Sequence, residues 1–185
     1  MKRAIYTFLG LILVSGMVAG DDAKAIKSGP QAGQRVPGPF HPENITGEYA
    51  GKKHCLYCEF QDAPVAMIFA REMSPALAKL IKSIDTATAK NKGMASCVVF
   101  LSNDVEKLTK NLKTMAEKEG VKHTILAIDA PVGPEDYKIA READVTVLLY
   151  NDYMVAANFA FKKGELNDKG VTQVVDGLPK ILSKK

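Results

Sequence analysis

The apolar positions of this chain alternate between short continuous runs and helically spaced stripes. Pro64 to Ala70 reads Pro-Val-Ala-Met-Ile-Phe-Ala, a run of strand length suited to burial on both faces. Ser74-Pro75 then supplies an N-cap and a proline at the first helical position. Leu77, Leu80, Ile81 and Ile84 recur at i, i+3, i+4 and i+7, one apolar stripe of a helix that Gly93 closes. Cys97 to Leu101 is a second buried strand. Asn103 and Glu106 form a capping box for a second helix, striped by Val105, Leu108, Leu112 and Met115 and ended by Gly120. Thr124 to Ile128 predicts a third strand and Pro134 to Glu142 a short helix. Val145 to Tyr150 and Val155 to Phe161, joined by an Asn151-Asp152 turn, predict a hairpin. Val171, Val174, Val175, Leu178 and Ile181 line a closing helix, with an irregularity at Pro179.

The predicted order is β-α-β-α-β-α-β-β-α, an α/β domain. Strands alternating with helices imply parallel pairing through right-handed crossovers, and the terminal hairpin adds antiparallel strands. The expectation is a central mixed sheet with helices on both faces. Residues 21–42 show little periodicity and hold Gly29-Pro30, Gly33 and Pro37-Gly38-Pro39, the pattern of an extended, mobile leader before a domain over 43–185.

The first residues change the picture. Met1-Lys2-Arg3 is cationic, Ala4 to Ala19 is almost unbroken apolar, and small residues follow at Val18-Ala19-Gly20 and Ala23-Lys24-Ala25. That order reads as a signal peptide over 1–20, with cleavage after 20 or 25. A retained membrane anchor is the alternative, and both place the domain outside the cytoplasm, periplasmic or secreted. Once the signal is removed, no membrane attachment is expected. The formal charge of +4 includes Lys2 and Arg3, so the mature surplus is small and nothing points to nucleic acid. A composition 46% hydrophobic and 25% charged over 185 residues fits one globular domain.

The strand order, with Val65-Ala66-Met67-Ile68-Phe69-Ala70 leading into Ser74-Pro75-Ala76-Leu77, resembles the thioredoxin-like superfamily. It looks closest to the redoxin branch of peroxiredoxins and exported thiol-disulfide proteins. Val145-Thr146-Val147-Leu148-Leu149-Tyr150-Asn151-Asp152 looks like that branch's late strand and hairpin turn. The resemblance implies a reactive Cys where the first strand meets its helix, but Arg71-Glu72-Met73-Ser74 stands there. It also implies a cis-proline before the late strand, where this chain has Asp144-Val145. Arg71 and Glu72 could bind a ligand at that turn or form a solvated pair.

The chain's Cys-x-x-Cys instead precedes the strand, in Lys53-His54-Cys55-Leu56-Tyr57-Cys58-Glu59, and reads as an insertion at 53–63. A seven-residue strand spans roughly 23 Å, which puts the pair toward the opposite edge of the sheet. Outside the cytoplasm thiols tend toward disulfides, and Cys97 is the odd cysteine, expected as a buried small hydrophobe. Three readings of the pair stand open. The first is catalytic thiol-disulfide exchange with protein thiols or disulfides, Cys55 attacking and Cys58 resolving, because Lys52, Lys53 and His54 favour the Cys55 thiolate. This reading requires no cofactor. The second is a structural disulfide in a redox-inactive binding module. The third is a zinc or copper site from His41, His54, Cys55 and Cys58. His123 is expected at or near the surface, and Tyr137, Tyr150 and Tyr153 as packing residues. Asn44-Ile45-Thr46 fits the N-glycosylation pattern.

Overall fold

The computed structural model describes residues 26–182. The expected signal segment, 1–20, lies outside them, as do residues 21–25 of the leader. Among the described residues no helix is long and apolar enough to cross a membrane.

The elements in chain order are β1 (Glu43–Asn44), α1 (Leu56–Phe60), β2 (Val65–Ala70), α2 (Pro75–Lys90), β3 (Ala95–Leu101), α3 (Val105–Glu119) and β4 (Ile125–Asp129). A one-turn 3₁₀ helix (Glu135–Tyr137) follows, then β5 (Val145–Asn151), β6 (Met154–Phe161), α4 (Asp168–Gly177) and α5 (Pro179–Leu182). One six-stranded sheet runs β1-β4-β3-β2-β5-β6. β2, β3 and β4 are parallel to their neighbours in that set, while β5, β6 and β1 pair antiparallel.

β2 sits at the centre, and all six of its residues are buried. Its side chains alternate between two apolar clusters: Ala66, Ile68 and Ala70 face one, Val65, Met67 and Phe69 the other. The crossovers from β2 to β3 and from β3 to β4 step the same way, and α2 and α3 pack on one face. Leu77, Leu80, Ile81 and Ile84 of α2 are fully buried there, as the stripe predicts, with Leu112 of α3, Val174 of α4 and Ile181 of α5 beside them. Ser74 accepts a hydrogen bond from the Leu77 N–H at 3.1 Å, and Pro75 opens the helix. The opposite face carries lighter cover: Leu56 and Phe60 of α1, Tyr137 of the 3₁₀ turn, and Val36 and Phe40 of the leader. Helices thus lie on both faces, unequally.

Two local expectations change. α3 is capped by Asp104, which accepts from the Lys107 N–H, while Glu106 pairs with Lys110 along the helix. The helix expected over 134–142 stops after one turn, because Lys138 adopts φ 51° and the carbonyls of Ala140 and Ala143 accept from Arg71. The irregularity expected at Pro179 is present and divides the closing helix into α4 and α5. Residues 26–42 of the leader, expected to be mobile, are firmly attached. Gly33 and Val36 donate to Val155 and Tyr153 carbonyls, and Val155 donates to Gln34, covering the β6 edge. Ser28, fully buried, bonds Thr146 across the chain at 2.6 Å.

Candidate functional site

The cysteine pair rests on a loop that β1 holds in place. Asn44 donates to the Lys52 carbonyl at 3.0 Å, Gly51 donates back to Asn44 at 2.7 Å, and His54 donates to Pro42 at 3.1 Å. Gly47 and Gly51 turn this loop at φ 84° and 80°, conformations that favour glycine. The loop delivers Cys55 as the N-cap of α1, in extended conformation, with its Sγ accepting the Cys58 N–H at 3.1 Å. Cys55 and Cys58 are joined in a disulfide, Cα atoms 5.2 Å apart. Leu56 and Phe60, one helical turn apart, anchor α1 in the core at 0% and 7% exposure. Cys55 is 7% exposed, whereas Cys58 lies on the outer side and is exposed.

Side chains around the pair are held by rings and one ion pair. The His54 ring stacks on Tyr49 with centroids 3.6 Å apart, and its Nε2 lies 3.1 Å from Oε2 of Glu59. Partial burial pushes the Glu59 carboxyl above its ordinary range, Glu48 adds to the rise, and His54 opposes it. Tyr57 packs on Tyr153 at 5.0 Å, and the Arg35 guanidinium lies 4.5 Å over the Tyr153 ring. The end of α1 is tied to the β5–β6 turn by the Asp152 N–H donating to the Asp62 carbonyl.

The pair enters the sheet at the Val65 end of β2, as the strand-length argument predicts. The metal set is not gathered: among the described residues no group of three or more His, Cys, Asp or Glu is placed to hold a metal ion. Both sulfurs are bonded to each other, His54 faces Glu59, and His41 lies exposed on the preceding loop. Cys97 is fully buried, and burial drives its thiol far above the ordinary range, with Glu59 adding to the rise. Tyr137 and Tyr150 are core residues, 1% exposed, and the Tyr137 hydroxyl donates to the Gly38 carbonyl. His123 donates its backbone N–H to the buried Asp85, which also accepts from Lys122 and Thr124. Asn44 is 0% exposed, with neither side-chain atom hydrogen-bonded, so its glycosylation pattern is closed to modification in the folded chain.

At the Ala70 end of β2, Arg71 proves structural. Its guanidinium donates to the carbonyls of Ala143 (2.9 Å), Pro131 (2.6 Å) and Ala140 (3.2 Å). Glu72 pairs with Lys163 at 2.7 Å on the surface, beside a cleft of about 670 Å³ that Met73, Pro75 and Leu166 help to line. The sequence did not single out Glu59, Tyr49 or the Tyr57–Tyr153 contact. Glu59 directly follows Cys58, and its carboxylate type beside a histidine five positions earlier was the available signal.

No family model and no curated protein matches this chain. Solved structures do. A proposed protein disulfide isomerase from Bacteroides thetaiotaomicron superposes with a TM-score of 0.62 at 16% identity, over 86% of this chain and 96% of that one. A secreted Mycobacterium tuberculosis disulfide oxidoreductase homologous to E. coli DsbE gives 0.53 at 10% identity, over 75% and 93%. The peroxidoxin BcpB from Mycobacterium tuberculosis gives 0.54 at 18% identity, over 85% and 99%. The chain therefore has the thioredoxin-like fold.

Proposed function

We propose that this protein is an exported thiol-disulfide exchange protein that works on protein thiols or disulfides through Cys55 and Cys58. The observation that carries the reading is the disulfide itself: it caps a short helix, with one sulfur hydrogen-bonded and its partner residue exposed. A pair so placed can open to a dithiol and close again, and a hydrogen bond to one sulfur favours its thiolate. The neighbours named as disulfide oxidoreductase and disulfide isomerase support the same chemistry. Export rests on the first 25 residues and on the secreted neighbour. Exchange of this kind needs no cofactor.

The second reading, a binding module pinned by a structural disulfide, draws on the burial of Cys55 and the tight loop behind it. Dithiol-driven reduction of insulin separates the two. The mature protein should accelerate it well above the dithiol alone, and Cys55→Ser should abolish the acceleration. Unchanged turnover in Cys55→Ser would refute exchange through this pair.

A further inference from the structure

Thiol-disulfide exchange is directional in space: the attacking thiolate must reach one sulfur of the bond, and the other departs with the electron pair. The two sulfurs here belong to unlike residues. Leu56 and Phe60 are i and i+4 on α1 and point into the core, so Cys58, two positions from each, falls on the outer side of the helix. Cys58 is exposed, with Glu59 and Gln61 exposed beside it. Cys55 precedes the helix, is 7% exposed, and its Sγ accepts the Cys58 N–H. Of the flanking residues that pointed to Cys55, His54 is engaged elsewhere: it faces Glu59 and stacks on Tyr49.

We propose, resting on the exchange reading above, that Cys58 is the sulfur that bonds to the partner and that Cys55 is the leaving and resolving thiolate. This reverses the order that Lys52, Lys53 and His54 predict. With a protein dithiol as partner, one of its thiolates attacks Cys58 Sγ. The Cys55–Cys58 bond breaks, and its electron pair stays on Cys55, whose thiolate retains the Cys58 N–H. A leaving thiolate stabilised in this way departs faster. The partner's second thiolate then attacks the partner sulfur of the mixed disulfide, closes the partner's own disulfide and expels Cys58 as a thiolate. The partner loses two electrons, and the pair gains them and takes up two protons. In the opposite direction the Cys58 thiolate attacks a partner disulfide, and Cys55 displaces the partner. Both directions share one covalent intermediate, at Cys58.

The test uses the full mature chain, Cys97 included, with glutathione disulfide as the probe. Cys55→Ser, which keeps Cys58, should form the glutathione adduct on Cys58 at least about tenfold faster than Cys58→Ser forms one on Cys55, read by intact and peptide mass. An equal or faster reaction of Cys58→Ser overturns the assignment and leaves exchange standing. Adduct formation in neither variant overturns both. Should either variant fail to fold, the reduced wild-type chain is pulsed with limiting iodoacetamide. Alkylation of Cys58 before Cys55 supports the assignment, and alkylation of Cys55 first overturns it.

Discussion

The two ends of β2 carry different structures. At the Ala70 end, where the resemblance places a reactive cysteine, Arg71 spends its guanidinium on three backbone carbonyls. That corner is a structural clamp: it holds the 131–143 connection against the sheet in place of a full helix. At the Val65 end, a loop hooked on β1 and a five-residue helix present a disulfide with one exposed cysteine. On the exchange reading proposed above, chemistry would belong to the segments grafted on the strand ends rather than to the strands themselves.

Substitutions should separate the two ends, and the largest effect belongs to the helix that carries the pair. Leu56→Ala removes a fully buried anchor, and we expect a loss of about 3 kcal/mol in denaturant unfolding, together with altered exchange. Exchange unaffected by that loss would mean α1 does not position the pair. Next comes Arg71→Met, which leaves three carbonyls without their charged donor and should cost about 2 kcal/mol or more. Its exchange rate per folded molecule should stay within about twofold of wild type, because nothing at the Cys55 site touches Arg71. A selective collapse of exchange would restore the Ala70 corner to the mechanism.

Reducing the pair should come third. A loop closed by so few residues contributes about 2 kcal/mol in the chain-entropy account, so oxidised and reduced chains should differ in unfolding free energy by no more than that. A clearly larger gap favours the structural reading. The smallest effect is expected from Glu59→Gln. Because the folded-state carboxyl of Glu59 is raised, its contribution is most favourable below the unfolded value of about 4.3 and is lost as pH rises through the folded value. The variant should therefore match wild type near pH 4 and exceed it slightly at pH 7, by less than about 1 kcal/mol for a group this exposed. Thermal melts at the two pH values read the difference, and a variant less stable at pH 7 would show that the His54 contact outweighs burial.

Much of the framework is legible in the chain because its signals are local. Continuous apolar runs bounded by Gly, Pro and Asn mark β2 to β6, and the Leu77–Ile84 stripe with its Ser74-Pro75 start marks α2 to within its first turn. Other parts are written in partners distant along the chain. α1 is too short for periodicity to show, and its direction is set by Leu56 and Phe60 meeting the second face of the sheet. The leader has no pattern because its hold is backbone pairing with β6 plus Val36 and Phe40. The 134–142 segment has helix-forming residues, yet Arg71 takes the Ala140 carbonyl within it and the Ala143 carbonyl just beyond, a competition that only the tertiary structure reveals. At the site, the cysteine pair and His54 stand out by type and spacing, whereas the exposure of Cys58 over Cys55 follows from which face α1 buries.

The most direct measurement is the reduction potential of the Cys55–Cys58 pair in the mature chain, equilibrated in graded thiol-disulfide buffers and read by intact mass. An exchange site at the Val65 end requires a value within about −120 to −270 mV. A value below about −300 mV would contradict the account and mark the pair as a structural clasp.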